Sequence, residues 1–152
     1  MKQVLLSVGK RHDPALQAAI DDFTARLNRE VETVWHFIKP SGADEATARR
    51  LESSSVLDYL QSDDYVVLLD ERGKEMSSEV FAEQYESTLT GARRIVFVIG
   101  GAYGVDETLH RRANLVLSLS SMVMAHQVVR LVLVEQLYRA RMITKGHPYH
   151  HT

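Results

Sequence analysis

Five short β-branched and aliphatic runs alternate with five helix-patterned stretches along this 152-residue chain, and that alternation constrains the fold more than anything else in the sequence. Residues 4–8 read as a strand closed by Gly9. Asp13 and Pro14 then open a helix with Leu16, Ile20, Phe23 and Leu27 at helical spacing. Residues 31–38 read as a second strand, ended by Pro40, Ser41 and Gly42, and 44–60 as a helix. A third strand covers 65–69, and Arg72-Gly73-Lys74 is expected to turn the chain out of it. Ser77 or Ser78 begins a helix to about residue 89. Residues 95–99 form the most hydrophobic strand, Asp106 starts a short helix, 115–119 make the fifth strand, and about 125–142 the last helix. Apolar strands separated by helices pair in parallel under right-handed crossovers. The expectation is an α/β fold, one Rossmann-like domain spanning 1–152 on a mostly parallel five-stranded sheet.

Composition narrows the function classes. The chain has no cysteine, which excludes a disulfide framework, a thiolate zinc site and a cysteine nucleophile. The apolar patch Val4, Leu5, Leu6 is too short for a signal segment, and no run approaches the roughly 20 residues a membrane span needs. A cytoplasmic protein with no membrane partner is expected. The net charge of −2 gives no global field toward nucleic acid. That charge is uneven, however: residues 41–90 sum to −8 and residues 126–152 to +3, with four of the seven histidines in the latter stretch. The closing Gly146-His147-Pro148-Tyr149-His150-His151-Thr152 reads, by itself, as a frayed tail.

In a doubly wound sheet, ligands bind outside the carboxyl ends of the strands. This singles out Gly9-Lys10 and residues 70–74, 100–104 and 118–124. The first loop has one glycine and is no dinucleotide fingerprint. Gly73-Lys74 is followed by Glu75 with no glycine five residues earlier, so it is no P-loop. Asp70 lacks the acidic cluster after the first strand that a phosphate receiver needs, and no metal site is expected. Gly100-Gly101-Ala102-Tyr103-Gly104 places three glycines in five residues, where backbone can approach a ligand; a plain tight turn explains two of them. Leu119-Ser120-Ser121-Met122-Val123-Met124 suits a flat aromatic ligand held between aliphatic side chains. It suits equally a helix start capped by Ser120 or Ser121 with methionines filling the core. The last helix has more apolar width than one sheet contact uses, which suggests a second subunit against it.

Taken in order, several blocks resemble a known family over essentially the whole chain. They are Leu5-Leu6-Ser7-Val8-Gly9-Lys10, Leu68-Leu69-Asp70-Glu71-Arg72-Gly73-Lys74, Phe97-Val98-Ile99-Gly100-Gly101 with Gly104, and Leu117-Ser118-Leu119-Ser120. His126-Gln127, Arg130, Glu135-Gln136-Leu137-Tyr138-Arg139-Ala140 and His147-Pro148-Tyr149-His150 complete the set. The resemblance is to the RlmH family of SPOUT-class methyltransferases, which methylate N3 of a pseudouridine in bacterial 23S rRNA. It implies a homodimer whose C-terminal segment is threaded into a trefoil knot that binds S-adenosylmethionine. It implies cofactor contacts at Leu69, Gly100, Leu119, Ser120, Ser121, Met122, Val123 and Met124. It also implies a tail lying over the cofactor near the dimer interface, making His150 and Tyr149 candidates for catalysis, with Arg139 and Arg130 steering phosphate. His126 competes with the tail as the base, or is a helix-entry histidine bonded to backbone.

This chain departs from the family pattern in two places. Val123 and Ala125 stand where Thr and Pro are usual, and His151 where Arg or Lys is usual. Val123 removes a hydroxyl, Ala125 loosens a rigid helix entry, and His151 makes any donated charge pH-dependent. A methyltransferase acting on another RNA position, and a non-catalytic dimer binding S-adenosylmethionine or RNA, stand beside the principal reading. Taken with the 23S rRNA target that the resemblance implies, the segment charges favour the assembled ribosome over naked RNA as the partner.

Overall fold

The computed structural model describes residues 2–151, with His150 and His151 described through their backbone alone. Five strands, β1 (Lys2–Val8), β2 (Glu32–Ile38), β3 (Tyr65–Lys74), β4 (Arg94–Ile99) and β5 (Leu115–Leu117), alternate with α1 (Pro14–Asn28), α2 (Glu45–Tyr59), α3 (Ser78–Gly91) and α4 (Glu107–Arg112). The chain closes with α5 (His126–Thr144) and a short 3₁₀ turn, Pro148–His151. The sheet order is β2-β1-β4-β3-β5 and every strand pairing is parallel. Val4 thus lies between Val34 and Val96, and Leu68 between Val98 and Val116. Four helices start on residues that satisfy an otherwise orphaned N–H. Asp13 accepts from Ala15, Asp44 from Thr47, Ser77 from Val80 and Asp106 from Leu109.

Strand pleating divides the apolar runs between two cores. On one face Leu5, Val67, Phe97 and Ile99 pack with Leu27 of α1, Phe81 of α3 and Leu133 and Leu137 of α5. On the other, Val4, Leu6, Val66 and Val98 pack with Val56 of α2 and Leu109 of α4. Polar groups caught between them are paired: Tyr85 Oη donates to Gln3 Oε1 at 2.6 Å, and Gln3 Nε2 to Thr33 Oγ1 at 2.9 Å.

Three local readings of the sequence require correction. Arg72-Gly73-Lys74 does not turn the chain out; β3 bulges after Leu69 and pairs again, with Lys74 opposite Leu117. Glycine at 73 permits this, because a Cβ there would lie 2.7 Å from the Val116 carbonyl. Neither Ser120 nor Ser121 caps a helix. Helix α5 begins at His126 after Ala125, which makes no side-chain cap bond, so Met122 and Val123 are exposed loop residues, not core. Finally, the tail is not frayed through Tyr149: the His147 N–H donates to Met142 O at 2.9 Å, and the Tyr149 ring packs edge-on to Tyr138 with centroids 5.0 Å apart.

Candidate active site

A cavity of about 580 Å³ opens at the carboxyl ends of β3, β4 and β5, within the size range of small-molecule sites. Leu69, Leu117, Leu119 and Val129 give it aliphatic walls, and Ile99, Gly100 and Gly101 bring backbone into it. Ser120, Met122, Val123 and Met124 line it as well; Ser121 does not. Seven of the eight residues expected at the cofactor therefore meet at one cavity. Ser120 works locally. Its Oγ accepts from the Met122 N–H at 3.0 Å and its carbonyl from Ser118 Oγ at 2.9 Å, folding the loop so that Met122 and Val123 stand 76% and 82% exposed at the rim.

Glu45, Asp70, Glu71 and Arg72 border the cavity. Arg72 donates from Nε and Nη2 to the Asp70 carboxylate at 3.1 and 2.9 Å and holds that carboxyl below its usual range. Carboxylates outnumber cations at this border, which suits a ligand bearing hydroxyls and positive charge. Among the described residues, no three His, Cys, Asp or Glu side chains converge to hold a metal ion.

Two of the expected catalytic residues, Tyr149 and Arg139, lie elsewhere in the chain's own fold. Glu135 Oε1 accepts from Arg139 at 3.0 and 2.7 Å and from Tyr149 Oη at 3.0 Å, while Gln136 Nε2 donates to Oε2 at 2.8 Å. The Arg139 guanidinium sits 4.9 Å above the Tyr149 ring. Burial first, and the Glu135 carboxylate second, push the Tyr149 phenol up, so it is a proton donor at neutral pH. None of Glu135, Arg139 and Tyr149 lines the cavity. The expectation at His150 falls on a side chain outside the described residues.

Arg130 overturns its expected role. It is fully buried and steers no phosphate, because α5 carries it on the same stripe as Leu133, Val134 and Leu137. Its Nε donates to Ser7 Oγ at 3.0 Å, its Nη1 faces His12 Nδ1 at 3.3 Å, and its Nη2 faces His126 Nε2 at 3.1 Å. The spacing of Arg130 three, four and seven residues from Leu133, Val134 and Leu137 was the available signal for this burial. His126 lines the cavity, yet its Nε2 is engaged by Arg130 and by Ser7 Oγ at 3.0 Å, so it is not a free base. The remaining cations of the basic C-terminal stretch are also committed: Arg139 to Glu135, Arg141 to Glu86 and Lys145 to Glu30. The local excess of +3 is therefore not an open positive face of one chain.

Fold and cavity define an α/β domain with a cavity of small-molecule size at the carboxyl edge of a parallel sheet. Comparison places it more narrowly. The family model described as "Predicted SPOUT methyltransferase" matches residues 1–150. A relative from Christiangramia forsetii named Ribosomal RNA large subunit methyltransferase H is 41% identical over 152 residues, covering 97% of each chain. Relatives of the same name from Flavobacterium johnsoniae and Parabacteroides distasonis are each 38% identical, covering 97% and 99% of each chain. The chain belongs to the SPOUT methyltransferase family. Membership implies that the return from β5 to α5 is part of a trefoil knot. No helix among the described residues is long and apolar enough to cross a membrane.

Proposed function

We propose that this protein transfers the methyl group of S-adenosylmethionine to N3 of a pseudouridine in 23S rRNA, as a cytoplasmic homodimer acting on assembled ribosomes. The observation that supports this reading best is the convergence of Leu69, Gly100, Leu119 and Met124 on one cavity. Its mixed lining fits the group: aliphatic walls for a purine, backbone for its edge, and Asp70 with Glu45 for hydroxyls and cationic centres. When bound there, S-adenosylmethionine supplies an electrophilic methyl on a sulfonium. Transfer to N3 would leave a neutral thioether, and the N3 proton would pass to a base on the protein or to solvent. Positioning supplies most of the acceleration. A donor at a ring carbonyl, or a base at N3, adds about 10² to 10⁴ in rate.

Tyr149 fits the donor role, since its phenol keeps its proton; that proton rests on Glu135 Oε1 and would turn from it to a ring carbonyl when the base is bound. Arg139 holds the same oxygen and steers that carboxylate. His150 is the accompanying candidate for the base. As the Tyr149 cluster does not line its own chain's cavity, a second copy is the natural source of the tail that meets the cofactor. The internally paired cations of the C-terminal stretch argue against tight binding to naked RNA and for a particle that presents shape as well as charge. Tritiated methyl transfer to ribosomes from a strain lacking the modification tests the proposal. Incorporation at one 23S pseudouridine is expected; incorporation into tRNA alone, or none, would overturn it.

A further inference from the structure

The buried cluster behind the cavity has no part in the reading above, and its electrostatics are unfavourable enough to need a reason. Arg130 stays protonated, is 0% exposed, and forms no ion pair among the described residues. It also sits near the start of α5, the end at which the helix dipole disfavours a cation. What surrounds it is a shell of acceptors: Ser7 Oγ, His12 Nδ1, His126 Nε2 and the face of Phe37, 5.1 Å from the guanidinium carbon. Room for it is made at Gly9, where a Cβ would come within 2.8 Å of Nη2 and 3.1 Å of His126 Nε2, and where φ is +154°.

A guanidinium can only donate, so a ring nitrogen facing it must accept. At His126 this leaves the proton on Nδ1, and the Gly100 backbone beside the ring favours a proton there. Both His126 and Gly100 are walls of the cavity. We propose that Arg130 is a positioning residue for the methyl-donor pocket: it fixes His126 as the Nδ1–H tautomer, holding that ring against the Gly100 backbone and setting one wall from inside the core. The inference rests on the reading of this cavity as the methyl-donor site, but its first test does not.

Long-range ¹H–¹⁵N correlation spectra of the ligand-free protein near neutral pH report which nitrogen of His126 bears the proton. Nδ1–H is expected in the wild type, and Nε2–H there would overturn the proposal without reference to any activity. In Arg130→Met, which keeps length and loses the donors, the tautomer is expected to shift toward Nε2–H. S-adenosylmethionine affinity by calorimetry is expected to fall about tenfold, the worth of one charge-assisted hydrogen bond, with KM for the donor rising and kcat nearly unchanged. Arg130→Lys keeps one donor and serves if the Met variant does not fold; it is expected to retain Nδ1–H and lose less affinity. His126→Asn presents an N–H near the Nδ1 position and needs no tautomer, so adding Arg130→Met to it should cost little more affinity. A residue that merely fills space would leave the tautomer and the affinity of Arg130→Met unchanged, and that result would also overturn the proposal. If the wild type is Nδ1–H but binds no S-adenosylmethionine, the methyl-donor reading fails and the pocket-positioning role fails with it, while the tautomer assignment stands.

Discussion

The two halves of the sheet's carboxyl edge are built from similar apolar strands and end in opposite ways. Beyond β3, β4 and β5 the edge opens into a cavity lined by Leu69, Gly100 and Leu119. Beyond β1 and β2 the corresponding space is filled by the chain itself, with Arg130 of α5 reaching Ser7, His12 and the face of Phe37. The crevice rule marks both halves as possible ligand sites. What separates them is whether a helix returns a long side chain to the strand ends. His126 touches both, lining the cavity on one side and meeting Arg130 on the other.

The largest expected effect isolates chemistry from either half. Deleting residues 147–152 removes Tyr149 from Glu135 and is expected to lower methyl transfer to ribosomes by about 10² to 10⁴ or more, while S-adenosylmethionine affinity stays within about threefold. Retention of near-full transfer would show that the tail has no catalytic part. Next, Leu69→Arg gives the open half a cation like the one that fills the other. Calorimetric binding of the cofactor should weaken by about 100-fold with the far-ultraviolet spectrum intact, and unaltered affinity would mean that the ligand sits elsewhere. Smaller still, Gly9→Ala presses a methyl group onto Arg130 at a positive φ. A loss of about 2 kcal/mol in urea unfolding is expected, and a neutral result would mean that the filled half is loosely packed.

The smallest effect is one of pH and again belongs to the filled half. His12 packs against Trp35 and Phe37 of β2; burial and then Arg130 hold it below its ordinary value, with Asp21 of α1 acting oppositely. Burial and then Arg130 do the same to His126, with the Gly100 backbone acting oppositely and Ser7 of β1 at its Nε2. The unfolded chain therefore binds protons first. Stability that is full above about pH 6.5 is lost as pH falls toward the lower folded values. Urea midpoints across that window should slope upward with pH, and His12→Phe should flatten the slope; an unchanged slope would remove His12 from the linkage.

Most of this architecture was legible because the signals were local. Asp13 before Pro14, Ser77, and Asp106 begin helices where their side chains suggest, and the runs around Val66 and Val96 became central strands because nothing in them tolerates solvent. Three of the four chosen crevice loops likewise led to the cavity, Gly9-Lys10 being the exception, and of the contacts the resemblance implies Ser121 alone is left outside. The failures share a cause, which is that distant parts of the chain decide them. Gly73 looks like a turn until Val116 is seen against it, and Tyr149 looks frayed until Glu135 is placed beneath it. Arg130 looks like a surface cation when read as a residue type, although its register with Leu133 and Leu137 places it in the core. A glycine read at first as the close of a strand and the lone glycine of a missing dinucleotide fingerprint, Gly9, proves to be the space that Arg130 occupies.

The Arg130 cluster also fixes an order of events during synthesis. It joins Ser7 and His12 to residues more than 110 positions later, so the strand made first is completed by the helix made last. Contacts of such long range form slowly, because the closure entropy must be met before they reward it. Until α5 has been made, the nascent chain exposes the apolar face of β1 that this helix covers, and with it a stretch open to aggregation. A ribosome stalled before residue 130 would therefore hold a chain that is protease-sensitive at its N-terminus, and release of the full chain would close it.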